Sequence, residues 1–295
     1  MTEKEYVIIT DSTCDLTPEL VEEMDVVVIP MEFTLAEGEV YKNYPDGREI
    51  GFQAFYDRVR AGAQPKTNQI NAATYMEVAA PYLDAGKDVL ILAFSSALSG
   101  TYQSSVLATE ELREKYPDRQ IYTVDTLAAS MGEGLLVYHA AKKRDEGLSI
   151  TELARWVEDN RLRLCHWFTV DDLNHLKRGG RVSSAAALFG TILGIKPVMH
   201  VDDAGRLIPR EKVRGRRQSL EALARHMLET IDPAEGEQTI FISHGDCEGE
   251  VQHLIDFIRE HIRVKEIKVN YIGPVIGAHS GPGTVALFYL GKTRN

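Results

Sequence analysis

The sequence predicts an α/β fold with two α/β domains, the first on a parallel sheet and the second a mixed α+β unit. Three observations lead there. In the first half, short β-rich runs alternate with helical stretches across short connections, an alternation that demands parallel pairing. The run KDVLILAF at 87–94 is apolar throughout but for its first two residues, as suits a strand covered on both faces. Beyond residue 170 the glycines gather at Gly179, Gly180, Gly190, Gly194, Gly205 and Gly215, and the pattern changes. The change sets domain spans of 1–160 and 161–295.

Each element has its own signal. The opening run YVIIT ends in Asp11 and Ser12, and polar residues at the carboxyl end of a first strand mark where open α/β sheets place a crevice. Thr17 before Pro18 is an N-cap followed by proline in the first turn. Residues 26–30 form a second buried strand, and 31–41 a hairpin turning at Glu37 and Gly38. A helix over 99–116 and a strand over 120–124 follow the strand at 87–94. An amphipathic helix spans 148–163, and an apolar run at 165–170 opens the second domain. There, strands at 238–243 and 265–272 flank a helix over 248–261. The segment 272–283 is rich in glycine and proline and is expected to be rigid but non-repetitive.

Composition excludes several classes of function. A chain of 295 residues with 44% hydrophobic and 26% charged residues can build a packed core. Its net charge of −11 argues against nucleic-acid binding, which calls for a basic excess. The most apolar stretch, 185–195, is too short to cross a bilayer. The first residues show no basic region before a long apolar one, so a cytoplasmic protein without a secretory signal is expected. Cys14, Cys165 and Cys247 lie far apart, and the histidines show no ligand spacing. Neither a disulfide framework, a metal nor a cofactor is expected.

Three segments stand out chemically. Ser99, Gly100 and Thr101 follow the strongest strand and open a helix, which gathers hydroxyls and backbone N–H groups suited to an anion, although an ordinary cap uses the same residues. His279 and Ser280 sit between Gly-Pro pairs, where glycine permits close approach to a ligand and a lone histidine is otherwise structural. Thr67 lies in the polar loop PKTNQ before a helix beginning near Ala72. Enzyme templates mostly fail. GDCEG at 245–249 imitates a cysteine nucleophile elbow with His279 downstream, the one enzymatic alternative. Residues 171–217 carry ten Lys or Arg against five Asp or Glu, either a solvated face or a dock for an acidic partner.

In order along the chain, TDSTCDL, KTNQ, LSGTYQS, VDT, LKRGGRV, IKPV with KVRG, and HSGPG resemble the motifs of the DegV family, the fatty-acid-binding proteins that serve bacterial fatty acid kinases. Asn68 stands where that family has serine, which predicts a differently shaped loop around Thr67. The resemblance implies two α/β domains with a long-chain fatty acid in the crevice, its tail buried. It implies that Thr67, Ser99 and His279 hold the carboxylate, with Gly100, Thr101, Arg181 and Ser280 in the same polar region. It also implies a carrier rather than an enzyme, presenting the acid to a kinase subunit for acyl-phosphate formation. Arg178, Lys196, Arg210, Lys212, Arg214 and Arg216 then become the expected dock for that partner. Phe189, Ile192, Leu193 and Ile195 are candidates for the tail wall, against the plainer reading of core. A stand-alone lipid sensor shares the pocket without the kinase. No integral membrane segment is expected, and lipid exchange would need only transient membrane contact.

Overall fold

The computed structural model describes residues 5–183 and 194–294. The chain opens with β1 (Tyr6–Asp11), fully buried, and α1 (Pro18–Met24). Thr17 caps α1 by accepting the Leu20 N–H, and Pro18 sits in the first turn, where no amide donor is missed. β2 (Val27–Ile29) lies beside β1, and β3 (Met31–Ala36) with β4 (Glu39–Asn43) makes the expected hairpin. Then come α2 (Phe52–Arg60), the two-residue β5 (Lys66–Thr67) paired to β3, and α3 (Ala72–Asp84), capped by Asn71. β6 (Asp88–Ala93), α4 (Thr101–Lys115) and β7 (Ile121–Asp125) complete a parallel sheet of order β2-β1-β6-β7. α5 (Met131–Asp145) and α6 (Ile150–Asn160) follow, the second opened by a Ser149–Glu152 capping box.

The remainder builds a six-stranded mixed sheet of order β10-β9-β8-β13-β11-β12. Its elements are β8 (Leu164–Thr169), α7 (Asn174–Arg178), β9 (Ile195–Val201), β10 (Leu207–Arg214), α8 (Arg216–Thr230), β11 (Thr239–His244), α9 (Glu248–His261), β12 (Glu266–Tyr271), α10 (Pro274–Ser280) and β13 (Val285–Leu290). The β9–β10 hairpin turns at Gly205, whose φ of 77° suits glycine, and pattern reading passed over it because basic residues interrupt its apolar alternation. The stretch expected to be non-repetitive holds the helix α10. Pro274 in its first turn and Gly281 beyond its end, at φ 79°, punctuate it.

One face of this sheet, with Cys165, Trp167, Leu287 and Tyr289, packs on α8 and α9. The opposite face, with Phe168, Met199, Ala286 and Phe288, joins one apolar cluster with Leu90, Val124, Met131 and Leu135 of the first half. The two sheets thus share core through α5.

Where the halves meet, a buried carboxyl ties three loops. Asp15 accepts the Gly273 N–H at 2.9 Å and the Ser130 hydroxyl at 2.5 Å, and its own carbonyl accepts the Asn270 amide at 2.8 Å. Ser130 also meets the Ser243 hydroxyl at 2.9 Å, and these bonds hold it at φ 54°, ψ −151°, a conformation that costs about 1–3 kcal/mol. Burial pushes the Asp15 carboxyl up to about 8. A proton held more tightly in the folded chain than in the unfolded one makes stability full below the ordinary carboxyl range. It is then lost as pH rises from about 4 towards about 8, by at most about 1.4 kcal/mol per pH unit. Replacing Asp15 by Asn keeps an acceptor for Gly273 and removes the titration. Urea unfolding at pH 5 and pH 8 is expected to show a clearly smaller loss of stability in the variant than in the parent chain. Equal losses in both would remove Asp15 from the pH dependence.

Candidate functional site

A cavity of about 200 Å³ lies between the carboxyl ends of the parallel strands and the inner face of the mixed sheet. The parallel sheet contributes Phe94 just past β6 and Leu98 from the loop before α4. Across from them, His166 and Phe168 of β8 and Ala286 and Phe288 of β13 line the wall. Strand pairing sets His166 beside Phe288 and Phe168 beside Ala286, so alternate residues of an antiparallel pair build one continuous face, apolar but for the His166 imidazole. Val201 and Leu207, partners in the β9–β10 hairpin, extend it, and Ile272, Val275 and Ile276 close another side.

The polar groups gather from elements far apart in sequence. Thr67 is brought in by the pairing of β5 with β3, and its hydroxyl lies 2.9 Å from Nε2 of His279 on α10. The Nδ1 atom of His279 is buried with no hydrogen-bond partner and faces Gly179, where an added Cβ would approach it to 2.2 Å. Burial, and then the Arg181 charge, push this imidazole down to about 4, so it is neutral near pH 7. A lone pair without a partner is cheaper than a buried N–H without one, so Nδ1 carries the lone pair and Nε2–H donates to Thr67. The Thr67 hydroxyl hydrogen is then left to point at a ligand.

Ser99 is built the same way. Its Oγ accepts the Thr101 N–H at 3.2 Å and lies 2.9 Å from the Thr101 hydroxyl, a contact in which either oxygen can donate. Thr101 itself is fully buried and supports Ser99 without lining the cavity. Gly100 leaves room for the Gln69 side chain, whose Oε1 would stand 2.2 Å from a Cβ there. The Ser280 hydroxyl is buried without a partner, in a residue on the cavity wall. Arg181 completes the cluster. Its Nε and Nη2 donate to the Leu98 carbonyl at 3.2 and 3.0 Å, and Nη1 to the Gly179 carbonyl, so among the described residues carbonyl oxygens hold this half-buried cation. A buried guanidinium without a carboxylate partner is costly, and an anion in the cavity would lower that cost.

Thr67, Ser99, Gly100, Arg181, His279 and Ser280 therefore meet around one cavity, with Thr101 behind them. The expected docking residues do not form one group. Arg210, Lys212 and Arg214 are exposed at alternate positions of the edge strand β10. Lys196 instead pairs with Asp171 at 2.8 Å, and Arg216 is drawn inward by Glu250 and the Gly283 carbonyl. Arg178 contacts His175 near the cavity mouth. Of the tail-wall candidates, Phe189, Ile192 and Leu193 lie outside the described residues, and Ile195 pairs with Arg214 away from the cavity. The elbow alternative also lacks its geometry. The Cys247 thiol is pushed by burial up to about 12, lies 3.5 Å from the Thr284 carbonyl and does not line the cavity. Its neighbouring histidine, His244, accepts the Cys247 backbone N–H, while His279 is engaged with Thr67. Among the described residues no cluster of His, Cys, Asp or Glu is arranged for a metal ion, and no helix is long and apolar enough to cross a membrane.

The model of a family described as "Uncharacterised protein, DegV family" matches residues 5–292. The chain belongs to the DegV family. A DegV domain-containing protein of Clostridium perfringens is 47% identical over 292 residues, 99% of both chains. One from Streptococcus pyogenes is 38% identical, covering 97% of this chain and 98% of the other. A solved DegV structure from Thermus thermophilus, described as fatty acid binding, superposes with a TM-score of 0.86 at 32% identity, covering 97% of this chain and 99% of that one. A Thermotoga maritima protein, whose structure is described as revealing fatty acid binding function, gives 0.84 at 31%, covering 98% and 100%.

The site makes a prediction about its own protonation. Followed by two-dimensional NMR of the imidazoles in the lipid-free chain, His279 stays neutral from pH 8 down to pH 5. Gly179→Ala should move its signals by pushing the ring off Thr67. A His279 midpoint near 6.5 would contradict the burial argument.

Proposed function

We propose that this chain binds a long-chain fatty acid, its tail in the apolar cavity and its carboxylate between the Thr67 and Ser99 hydroxyls, near Arg181. The observation that carries this reading is a guanidinium with no carboxylate partner among the described residues, set beside the Thr67 and Ser99 hydroxyls on one largely apolar cavity. The family's fatty-acid-binding members support it. At about 0.8 kcal/mol per methylene, a tail of ~14 methylenes offers about 11 kcal/mol gross, so the tail dominates affinity. Hydrogen bonds from the head-group donors, each about 1–3 kcal/mol, set orientation.

On this reading the chain is a carrier without a nucleophile of its own, presenting the carboxylate to a kinase subunit that forms the acyl phosphate. The exposed row of Arg210, Lys212 and Arg214 on edge strand β10 suits an acidic partner better than the wider set of basic residues does.

Mass spectrometry under native conditions and after organic extraction is expected to recover about one fatty acid per chain. A protein that neither carries nor takes up fatty acid would end the proposal. Thr67→Ala and Ser99→Ala should each weaken fatty acid binding by ~5–30-fold, the loss of about 1–2 kcal/mol. Arg210→Glu with Arg214→Glu should abolish acyl-phosphate formation by a cognate kinase while fatty acid affinity stays within about twofold. Undiminished phosphorylation would exclude this strand as the dock.

A further inference from the structure

One wall of the cavity is fastened differently from the rest. Every residue of β8 from Leu164 to Thr169 pairs with β13, but β9 pairs with β8 only through Val198, Met199 and His200. There the His200 Nδ1–H donates to the His166 carbonyl at 2.9 Å. Beyond His200, among the described residues, the tip of the β9–β10 hairpin has no ladder but its own. Val201 and Leu207, the pair that closes this tip, line the cavity. The turn between them is stiff. The Asp202 carboxylate accepts the Ala204 and Arg206 N–H groups at 3.0 and 2.9 Å, and the Asp202 N–H donates to the Arg206 carbonyl at 2.9 Å. A tip tied to itself in this way moves as one piece.

Two side chains tie that piece to the loops facing it. The Ser95 hydroxyl donates to the Gly205 carbonyl at 3.0 Å, and an added Cβ at Gly205 would stand 2.3 Å from the Ser95 oxygen. The other is Arg294, which is 1% exposed. Its guanidinium donates to four main-chain carbonyls, Leu164 from Nε at 2.9 Å, Leu127 and Asp202 from Nη1 at 2.7 and 3.2 Å, and Arg161 from Nη2. The Nη1 group thus spans from the hairpin tip, through Asp202, to the loop after β7, through Leu127. That loop runs on into Ala129 and Ser130, which also line the cavity, so one cation joins two of its walls. We infer that the hairpin tip is the wall that swings aside to admit the acyl chain, and that Arg294 is the positioning residue that latches it. The inference rests on the lipid-binding reading, because it names the way in for that ligand. A latch present in both the empty and the loaded chain changes the opening of each alike, so uptake and release speed up together and affinity barely moves.

The test is stopped-flow kinetics of the delipidated full chain with the fluorescent fatty acid cis-parinarate, its release driven by excess tetradecanoate. Arg294→Met, which keeps an unbranched stem in place, is expected to raise the uptake and release rates by about tenfold or more with Kd within about threefold. Ser95→Ala, at the other fastening of the tip, should raise both rates by about threefold. Arg60→Ala removes an ion pair with Asp246 elsewhere between the halves and should leave both rates within about twofold. Unchanged rates in a folded Arg294→Met would overturn the latch. If that variant does not fold, unchanged rates in Ser95→Ala would overturn the door by themselves. A weaker Kd with unchanged uptake would show that Arg294 shapes the bound state, which also overturns the latch. Equal acceleration by Arg60→Ala would mean that the halves part as a whole, and would overturn the hairpin as the door. A parent chain that binds neither acid would overturn the fatty acid reading and this inference together.

Discussion

The carboxyl group of Asp15 fixes where the cavity walls stand. It receives the Gly273 amide and the Ser130 hydroxyl, and each of those loops carries a wall of the cavity. Gly273 immediately precedes α10, so the bond sets the start of the helix that delivers His279 to Thr67. An added Cβ at Gly273 would stand 2.7 Å from Asp15 Oδ1, so glycine is required there by closeness and not by backbone angle. Without this junction the two sheets would still have cores of their own. The polar cluster, assembled from β5, the loop before α4, the segment after α7 and α10, would have no common frame.

A related economy runs through the neighbouring polar core. Thr10, Asp11, Thr13 and Glu133 form a buried set in which the single Thr13 hydroxyl lies against both Asp11 and Glu133. One hydroxyl hydrogen cannot serve two carboxylates, and burial pushes both groups upward, so at least one of them is a neutral acid. Both junctions between the sheets and their loops thus use uncharged or singly charged carboxyls and avoid buried ion pairs, with their desolvation cost.

What was legible in the sequence was local. Strand β6, the capped α1 and the β3–β4 hairpin announce themselves through apolar runs, Thr17-Pro18 and Glu37-Gly38. Ser99 was visible because a strand-to-helix turn rich in hydroxyls is a short-range pattern. The cavity wall was not, because His166, Phe168, Ala286 and Phe288 become neighbours only through the β8–β13 register, more than a hundred residues apart. The dependence of His279 on Gly179 was hidden for the same reason. Charge counting takes no account of Glu250, which pairs with Arg216 across the helices α8 and α9. The segment 272–283 shows a subtler failure, where the residues that punctuate a short helix were read as marks of irregular chain.

The inner face of the mixed sheet is at once cavity wall and core. Phe168, Leu176, Ala286 and Phe288 belong to the same apolar cluster as Leu90 and Val124. A molecule held there adds its own contacts to the interior, and the folded state gains RT ln(1 + [L]/Kd) from it. The resistance of the polypeptide to heat and proteases is therefore coupled to the concentration of whatever binds there.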